Sequence, residues 1–279
     1  QEDKGLKFLG FIIVCLTGSL LLYGTGEFPG WGDPHSPASI HLSNDYIEKA
    51  VEQTQVPNLV TAVLADYRGF DTMFETAVVF CAGLACFLLL RDFKEKKERF
   101  YRHTPTGVIL HVKDSKKVLK TGKEFEHMDK DWVPSDLIIK TICRILIPFI
   151  QIYALYVVAH GDFSPGGGFQ GGVIFGSSLI LLAISYDLKV LVKRVKEKIL
   201  GIFAAIGVLI YVGIAAICMP MGGNFLDYSK LAPLVPGDPH HIRALGMLGV
   251  EIGVGIAVTA VMVIIYINIV SEGRHEEGL

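Results

Sequence analysis

The sequence predicts an all-α polytopic membrane protein, and two observations lead to that class. The 279-residue chain is 51% hydrophobic with a mean hydropathy of +0.45, and its charged residues are concentrated in blocks between long apolar runs. Six of these runs have about the 20 residues that a hydrocarbon core about 30 Å thick requires. Because backbone groups in lipid must bond within their own segment, the runs are expected to be helices. The predicted spans are Leu6–Tyr23, Thr72–Leu90, Leu137–Ala159, Phe169–Leu188, Ile199–Met219 and Leu245–Val270.

The distribution of basic residues predicts the orientation of these spans. With a cytoplasmic N-terminus, most of the 26 Lys and Arg residues fall in cytoplasmic segments. The exceptions are Lys49, Arg68, Lys230 and Arg243. This asymmetry follows the positive-inside rule and predicts that both termini are cytoplasmic. No small-residue cleavage motif follows the first apolar run, so we expect a span there and not a cleaved signal.

A short amphipathic helix is predicted between the first two spans. Apolar residues recur there at helical spacing, and Pro57 stands at a permitted first-turn position. The apolar face consists of Val56, Leu59, Val60, Val63, Leu64 and Tyr67. We expect this helix to lie at the outer membrane interface or against partner helices.

Two carboxylates mark the start of the second span. Asp71 and Glu75 are four residues apart and share a helix face, with Glu75 about one turn deeper. A charge inside a membrane span is costly unless it is paired or hydrated. Glu75 is therefore interpreted either as the structural partner of a base or as part of an ion route. Arg68 lies close by as a candidate charge partner.

A charged cytoplasmic linker, 92–135, separates a two-helix module, 1–91, from a four-helix module, 136–279. Short β-like runs about a polar turn predict a small hairpin within Thr106–Lys123. In the third span, Lys140 and Arg144 share a face near the cytoplasmic end. They are interpreted as reaching lipid headgroups or as pairing with a carboxylate of a neighbouring helix.

The stretch HGDFSPGGGFQGG, His160–Gly172, connects the third and fourth spans. Proline presets φ, and glycine permits backbone shapes closed to other residues, so a tight turn followed at once by a helix is predicted. Glycines at every fourth position of the outgoing helix form a groove that lets another helix approach closely. The residues assigned to the turn and this groove are His160, Pro165, Gly166, Gly167, Gly168, Gly172 and Gly176.

The last span combines a packing stripe with a second intramembrane carboxylate. Gly249, Gly253 and Ala257 lie on one stripe, and Glu251 lies away from it. Glu251 is expected roughly one turn past a helix start near Leu245, close to headgroup level. The sequence leaves open whether it is structural or lines an aqueous path.

No catalytic or metal-binding residues are predicted. The five cysteines lie inside apolar spans, without the CxxC spacing of metal sites, and are interpreted as small packing residues. Neither a nucleophile nor a cofactor-binding loop is apparent. These features disfavour an independent transporter or a membrane enzyme.

Two parts of the chain resemble subunits of Mrp-type multisubunit Na+/H+ antiporters. The segment from about Asp136 to Tyr266 resembles the B subunit. It does so through His160, PGGGFQGG at Pro165–Gly172, GNFLD at Gly223–Asp227 and HHIRALGMLGVEIGVG at His240–Gly255. The segment from about 6 to 91 resembles the C-terminal portion of the A subunit, through Pro57–Glu75 with RGFDTMFE. Related modules occur in archaeal membrane-bound hydrogenases and sulfane sulfur reductases.

The resemblance implies a membrane subunit of a Na+/proton antiport module in the cell membrane. Its partners would be other antiporter-type subunits, the bilayer and hydrogenase-like redox subunits, with no nucleic acid. Na+ would be the transported ion, this chain would bind no cofactor, and any iron–sulfur clusters would lie in other subunits. Glu75, Asp71 and Glu251 are the candidates for the ion route. The alternative is a purely structural scaffold that links antiporter and redox modules.

Overall fold

The computed structural model describes residues 2–90, 99–103, 105–106, 108–112, 125–128, 137–234 and 237–271. It divides into two compact units, 1–50 and 51–279. The first unit contains helix α1, Glu2–Thr25, and a π-helical turn, Ala38–Leu42. Helix α2, Ser43–Thr54, starts in this unit and ends in the second.

The second unit is mainly helical. It contains α3 (Leu59–Thr61), a π-helical segment (Ala62–Tyr67), α4 (Gly69–Leu90), α5 (Leu137–Ala159), α6 (Gly168–Tyr186), α7 (Leu188–Arg194), α8 (Glu197–Ile217), a 3-10 turn (Tyr228–Leu231) and α9 (Pro239–Val270). Within the described residues, six helices are long and apolar enough to cross a membrane: α1, α4, α5, α6, α8 and α9. They correspond to the six predicted spans, so the predicted fold class is confirmed.

The structure describes only part of the predicted linker, and three segments of that part form a small antiparallel sheet. Its strands are β1 (Arg99–His103), β2 (Ile109–Val112) and β3 (Phe125–Met128), in the order β2-β1-β3. The sequence placed a hairpin inside Thr106–Lys123, whereas β2 pairs with β1, which precedes that segment. Residues 113–124 lie outside the described ranges.

Helix α9 contributes to both hydrophobic clusters of the second unit. In its first half, Met247, Val250 and Val254 pack in a cluster with Tyr211 of α8 and Tyr228 of the 3-10 turn. In its second half, residues from Ala260 to Ile267 belong to the other cluster, together with apolar residues of α5, α6, α7 and α8. Half of the 32 residues of α9, Glu251 among them, are buried, whereas Leu245, Ile252 and Ile269 are exposed.

Glycines allow the neighbouring helices to approach α9 closely. A Cβ atom on Gly207 of α8 would lie 2.5 Å from the carbonyl oxygen of Gly253. A Cβ atom on Gly172 of α6 would lie 2.7 Å from the carbonyl oxygen of Gly255. Both distances are shorter than real Cβ contacts, so these crossings require residues without a side chain. Helix α4 packs against α8 and α9. The division into segments 1–91 and 136–279 stays a prediction.

The segment predicted as an amphipathic helix starts later than expected and changes its winding. Its helix begins at Leu59, after Pro57, because the Asn58 side chain accepts a hydrogen bond from the Val60 N–H and caps the first turn. From Ala62 onward it is π-helical. The buried residues are Val56, Thr61, Ala62 and Ala65, whereas Leu59, Val60 and Leu64 of the predicted apolar face are exposed.

Candidate functional site

The turn that connects α5 to α6 requires glycine at two positions. Helix α5 ends at Ala159 and α6 begins at Gly168. Gly166 and Gly167 have φ of 156° and 138°, in the region that disfavours side chains. The His160 ring stacks on Tyr156 at a centroid distance of 4.2 Å, and the His160 carbonyl accepts a hydrogen bond from the Ser164 hydroxyl. We call residues 160–168 the glycine hairpin.

Glu251 of α9 lies inside the glycine hairpin. Its residue surface is only 9% exposed. A Cβ atom on Gly161 would lie 2.6 Å from its Oε2 atom, and one on Gly167 would lie 2.8 Å from Oε1. A Cβ atom on Gly168 would overlap its backbone carbonyl. The hairpin glycines therefore leave the space that the Glu251 side chain and backbone occupy.

A cavity of about 190 Å³ adjoins this carboxylate. Glu75 of α4 and Glu251 both line it, so the structure brings two of the three predicted ion-route candidates to one cavity. The Glu75 side chain is exposed on the surface of this chain. The other lining residues with polar side chains are Thr61, Thr72, Thr76, Gln170 and Tyr211.

The third candidate, Asp71, is engaged elsewhere. Its Oδ2 atom accepts a hydrogen bond from Nε of Arg68 at 2.6 Å, and both side chains are about half exposed. Asp71 is not among the residues that line the cavity. Arg68 therefore pairs with Asp71, one turn before Glu75.

Lys140 and Arg144 lie far from this cavity. They are near the start of α5, about 20–30 Å along the helix from the glycine hairpin. Arg144 is exposed and Lys140 is half-buried. In the described ranges, no carboxylate oxygen approaches within 4.0 Å of either side chain. Their role as charge partners stays a prediction.

The predicted packing glycines lie against specific neighbours. A Cβ atom on Gly249 would lie 2.8 Å from Cδ1 of Ile214 in α8, and Gly253 faces Gly207 of the same helix. Gly176 of α6 approaches Met262 of α9, where an added Cβ would lie 3.4 Å from the methionine Cβ. The α9 stripe thus packs on α8, while Glu251 faces the glycine hairpin.

Sequence reasoning missed the residues that hold the hairpin from the other side. The Asn58 amide donates to the carbonyl oxygens of Gly161 and Ser164, both at 2.8 Å. The Thr61 hydroxyl donates to the Gly161 carbonyl at 2.7 Å, and the Asn58 N–H donates to the Asp162 carbonyl at 3.0 Å. The available sequence signal was an Asn directly after Pro57 and before a helical pattern, which is typical of a cap.

Replacing Asn58 with alanine is expected to loosen the hairpin. Two hairpin carbonyls lose their side-chain donor and α3 loses its cap, which together should destabilise the protein by about 1–3 kcal/mol. The thermal midpoint of the purified complex measures this loss. Asn44→Ala is the matched control, since Asn44 is exposed. Equal midpoints for the two variants would contradict the assignment.

Two tyrosines and an ion pair fix the segment beside the cavity. The Tyr211 hydroxyl donates to the Gly69 carbonyl at 2.8 Å, and the Tyr228 hydroxyl donates to the Ala65 carbonyl at 3.0 Å. Burial raises the pKa of Tyr228, so its hydroxyl stays protonated and able to donate. Arg243 pairs with Asp66 of the π-helical segment.

The hairpin itself carries a carboxyl group, on Asp162, in addition to the Glu251 carboxyl group supplied by α9. Burial raises the pKa of this group above its ordinary value. A cluster of three or more His, Cys, Asp or Glu side chains that could hold a metal ion is absent from the described part of the chain. The chemistry of the site is therefore that of a few carboxylate, amide and hydroxyl groups.

Comparisons with known proteins match two parts of the chain. Residues 138–264 match a domain related to the MnhB subunit of Na+/H+ antiporter, and residues 35–105 match the MbhE family of MBH subunits. A putative antiporter subunit mnhB2 of Staphylococcus epidermidis is 30% identical over 141 residues, which cover 50% of this chain and 97% of the relative. The MbhE match overlaps the segment 6–91 and extends into the predicted linker.

Two solved structures share the fold. A chain of the membrane-bound sulfane sulfur reductase, an archaeal respiratory membrane complex, has a TM-score of 0.58 and 23% identity, covering 94% of this chain and 97% of that chain. A chain of the Mrp complex from Dietzia sp. DQ12-45-1b has a TM-score of 0.52 and 22% identity, covering 94% and 26%.

Six helices suited to span a membrane and the match to antiporter subunits make this a multi-pass membrane protein. The relative from Staphylococcus epidermidis is matched over nearly its whole length. The chain therefore belongs to the family of domains related to the MnhB subunit of Na+/H+ antiporters.

Proposed function

We propose that this chain is a membrane subunit of a multisubunit Na+/proton antiport assembly, and that it contributes part of the Na+ route. The observation that carries the proposal is that Glu75 and Glu251, on two different spanning helices, line one cavity. Carboxylates suit Na+ because hard cations prefer oxygen ligands. The threonine, tyrosine and glutamine side chains of the same cavity add further oxygen atoms.

The exposure of Glu75 supports an assembly with other chains. Glu75 lies within spanning helix α4, is exposed, and has no ion-pair partner among the described residues. A lone carboxylate facing lipid is strongly unfavourable. A neighbouring antiporter-type subunit would cover Glu75 and continue the route from it.

The setting that we propose is a redox-driven ion-pumping complex in the cell membrane. The shared fold with a chain of the sulfane sulfur reductase supports this setting. Na+ is then the transported ion, and iron–sulfur clusters belong to other subunits. Both termini of this chain face the cytoplasm, as the basic residues predict.

Replacing Glu75 with glutamine in the assembled complex tests the proposed route. The substitution keeps the size of the side chain and removes its charge, so Na+ affinity along the route falls. We expect Na+-dependent transport, measured as ²²Na+ uptake into proteoliposomes, to fall about tenfold or more, equivalent to about 1.4 kcal/mol. Asp71→Asn is the matched comparison, since Asp71 lies one turn away and pairs with Arg68.

The same variant separates the route from the scaffold alternative. A scaffold predicts that Glu75→Gln acts only through loss of assembly, which a native gel detects. An intact Glu75→Gln complex with unchanged ²²Na+ uptake would refute the route. If Glu75→Gln and Asp71→Asn reduce ²²Na+ uptake equally, the Na+ route does not depend on the cavity.

A further inference from the structure

Two buried carboxylate oxygens at the glycine hairpin have no partner. Oε2 of Glu251 and Oδ1 of Asp162 each expose less than 1 Å² and form no hydrogen bond with any described residue. Burying a carboxylate oxygen in this way is unfavourable unless a donor or a cation compensates it. The proposed Na+ route accounts for Glu251 only as a lining residue, and it does not involve Asp162.

The surroundings of these oxygens favour a cation over a hydrogen-bond donor from the protein. Arg243, the basic residue of α9 closest to Glu251 along the sequence, is engaged with Asp66. The His160 ring stacks on Tyr156. In the described part of the chain, no Lys, Arg or His nitrogen lies within 4.0 Å of a carboxylate oxygen of Glu251 or Asp162.

The amide oxygen of Gln170 lies near the same hairpin glycine as the Glu251 carboxylate. The position of a Cβ atom on Gly167 lies 2.8 Å from Oε1 of Glu251 and 3.5 Å from Oε1 of Gln170. Gln170 and Glu251 also both line the cavity. Asp162 lies next to Gly161, whose Cβ position is 2.6 Å from Oε2 of Glu251. The Glu251 carboxylate and the Gln170 amide oxygen thus both lie near Gly167. The Asp162 carboxyl group lies close enough to Glu251 for their charges to interact.

We propose that Glu251, Asp162 and Gln170 form a binding site for a hard monovalent cation, with Na+ as its ligand. This inference rests on the proposed function, because it names the point on the Na+ route where the ion is held. Oxygen ligands of this kind are those that hard cations prefer. The choice of Na+ follows from the proposed function, and Ca²⁺, which prefers the same oxygen ligands, is therefore the competitor that tests it.

The hydrogen bonds from Asn58 and Thr61 make the site rigid. They hold the Gly161 carbonyl and therefore the backbone that precedes Asp162. The hairpin backbone, which carries Asp162, and helix α9, which carries Glu251, are therefore held on opposite sides of the site. A site with a fixed separation between its ligands can select a cation by size.

Equilibrium binding of ²²Na+ to the purified, assembled complex tests the site without any transport step. We expect a saturable component whose affinity falls about tenfold or more in Glu251→Gln, because the buried charge is lost. Asp162→Asn should weaken binding in the same direction. Asp45→Asn is the control that keeps wild-type affinity, since Asp45 pairs with Lys49 on α2 and is not among the residues that line the cavity. A native gel establishes that each variant is assembled.

Unchanged ²²Na+ affinity in an assembled Glu251→Gln complex would overturn the site. If Glu251→Gln does not assemble, Asp162→Asn provides the test, because Asp162 is only partly buried and its variant is expected to assemble. Wild-type ²²Na+ affinity in Asp162→Asn would equally overturn the site. Displacement of ²²Na+ by micromolar Ca²⁺ would overturn the monovalent assignment. Normal transport in Glu75→Gln would refute the route but would leave this binding result standing, so the two failures are distinguishable.

Discussion

Replacing Gly168 with alanine is expected to prevent α6 from packing against α9. The added Cβ atom would overlap the Glu251 carbonyl oxygen and lie 2.7 Å from the carbonyl carbon. Both atoms belong to the backbone of a buried helix, so neither moves as a flexible side chain would. Overpacking a core typically costs about 1–3 kcal/mol, and we expect this variant to exceed about 3 kcal/mol.

The readouts are the amount of assembled complex in the membrane and its thermal midpoint. Gly213→Ala is the matched control, because Gly213 lies in helix α8 and has no atom within 4 Å of an added Cβ. That control should be neutral or stabilised by up to about 1 kcal/mol, from the higher helix propensity of alanine. A Gly168→Ala complex with the wild-type amount and midpoint would show that the close approach is not required.

Replacing Arg243 with methionine is expected to produce the second large loss. The Asp66 side chain is only 7% exposed, and Arg243 is its ion-pair partner. Removing one member of a buried pair leaves an uncompensated charge, which costs about 3–5 kcal/mol. The segment that Asp66 anchors also lines the cavity, so Na+-dependent transport should fall with stability.

A second substitution checks the cause of this loss. Asp66→Asn in the Arg243→Met background removes the stranded charge and should restore a large part of the thermal midpoint. Arg68→Met is the control, because Arg68 and Asp71 form an exposed pair whose contribution is small. If the double variant is as unstable as Arg243→Met alone, the loss does not come from the charge on Asp66.

The Asp66–Arg243 pair also shows where local reasoning is limited. Asp66 lies within five residues of Arg68 and Asp71 in the sequence, which groups the three charges together. The structure instead pairs Arg68 with Asp71 and joins Asp66 to a residue of the last helix. Sequence spacing identifies neighbours on one helix, whereas the choice between several partners depends on which helices pack together.

The depth of Glu251 within its helix also differs from what local sequence predicts. An apolar run beginning at Leu245 predicts a helix start near that residue and a carboxylate near headgroup level. Helix α9 begins at Pro239, with Asp238 in the N-cap position, so Glu251 lies about three turns inside the helix. The polar residues before Leu245 belong to the helix because Ile242 and Arg243 pack and pair within the protein.

The sequence by itself determined the six spans, the tight glycine connection between α5 and α6, and the membership of an antiporter subunit family. These properties are local, because apolar length, turn chemistry and motif identity can be read from consecutive residues. Only the tertiary structure decided that Glu251 lies within the glycine hairpin and that Glu75 lines the same cavity. That juxtaposition depends on how closely α4, α6 and α9 approach one another, which is set by side-chain packing between distant segments and leaves no periodic signal in any one of them.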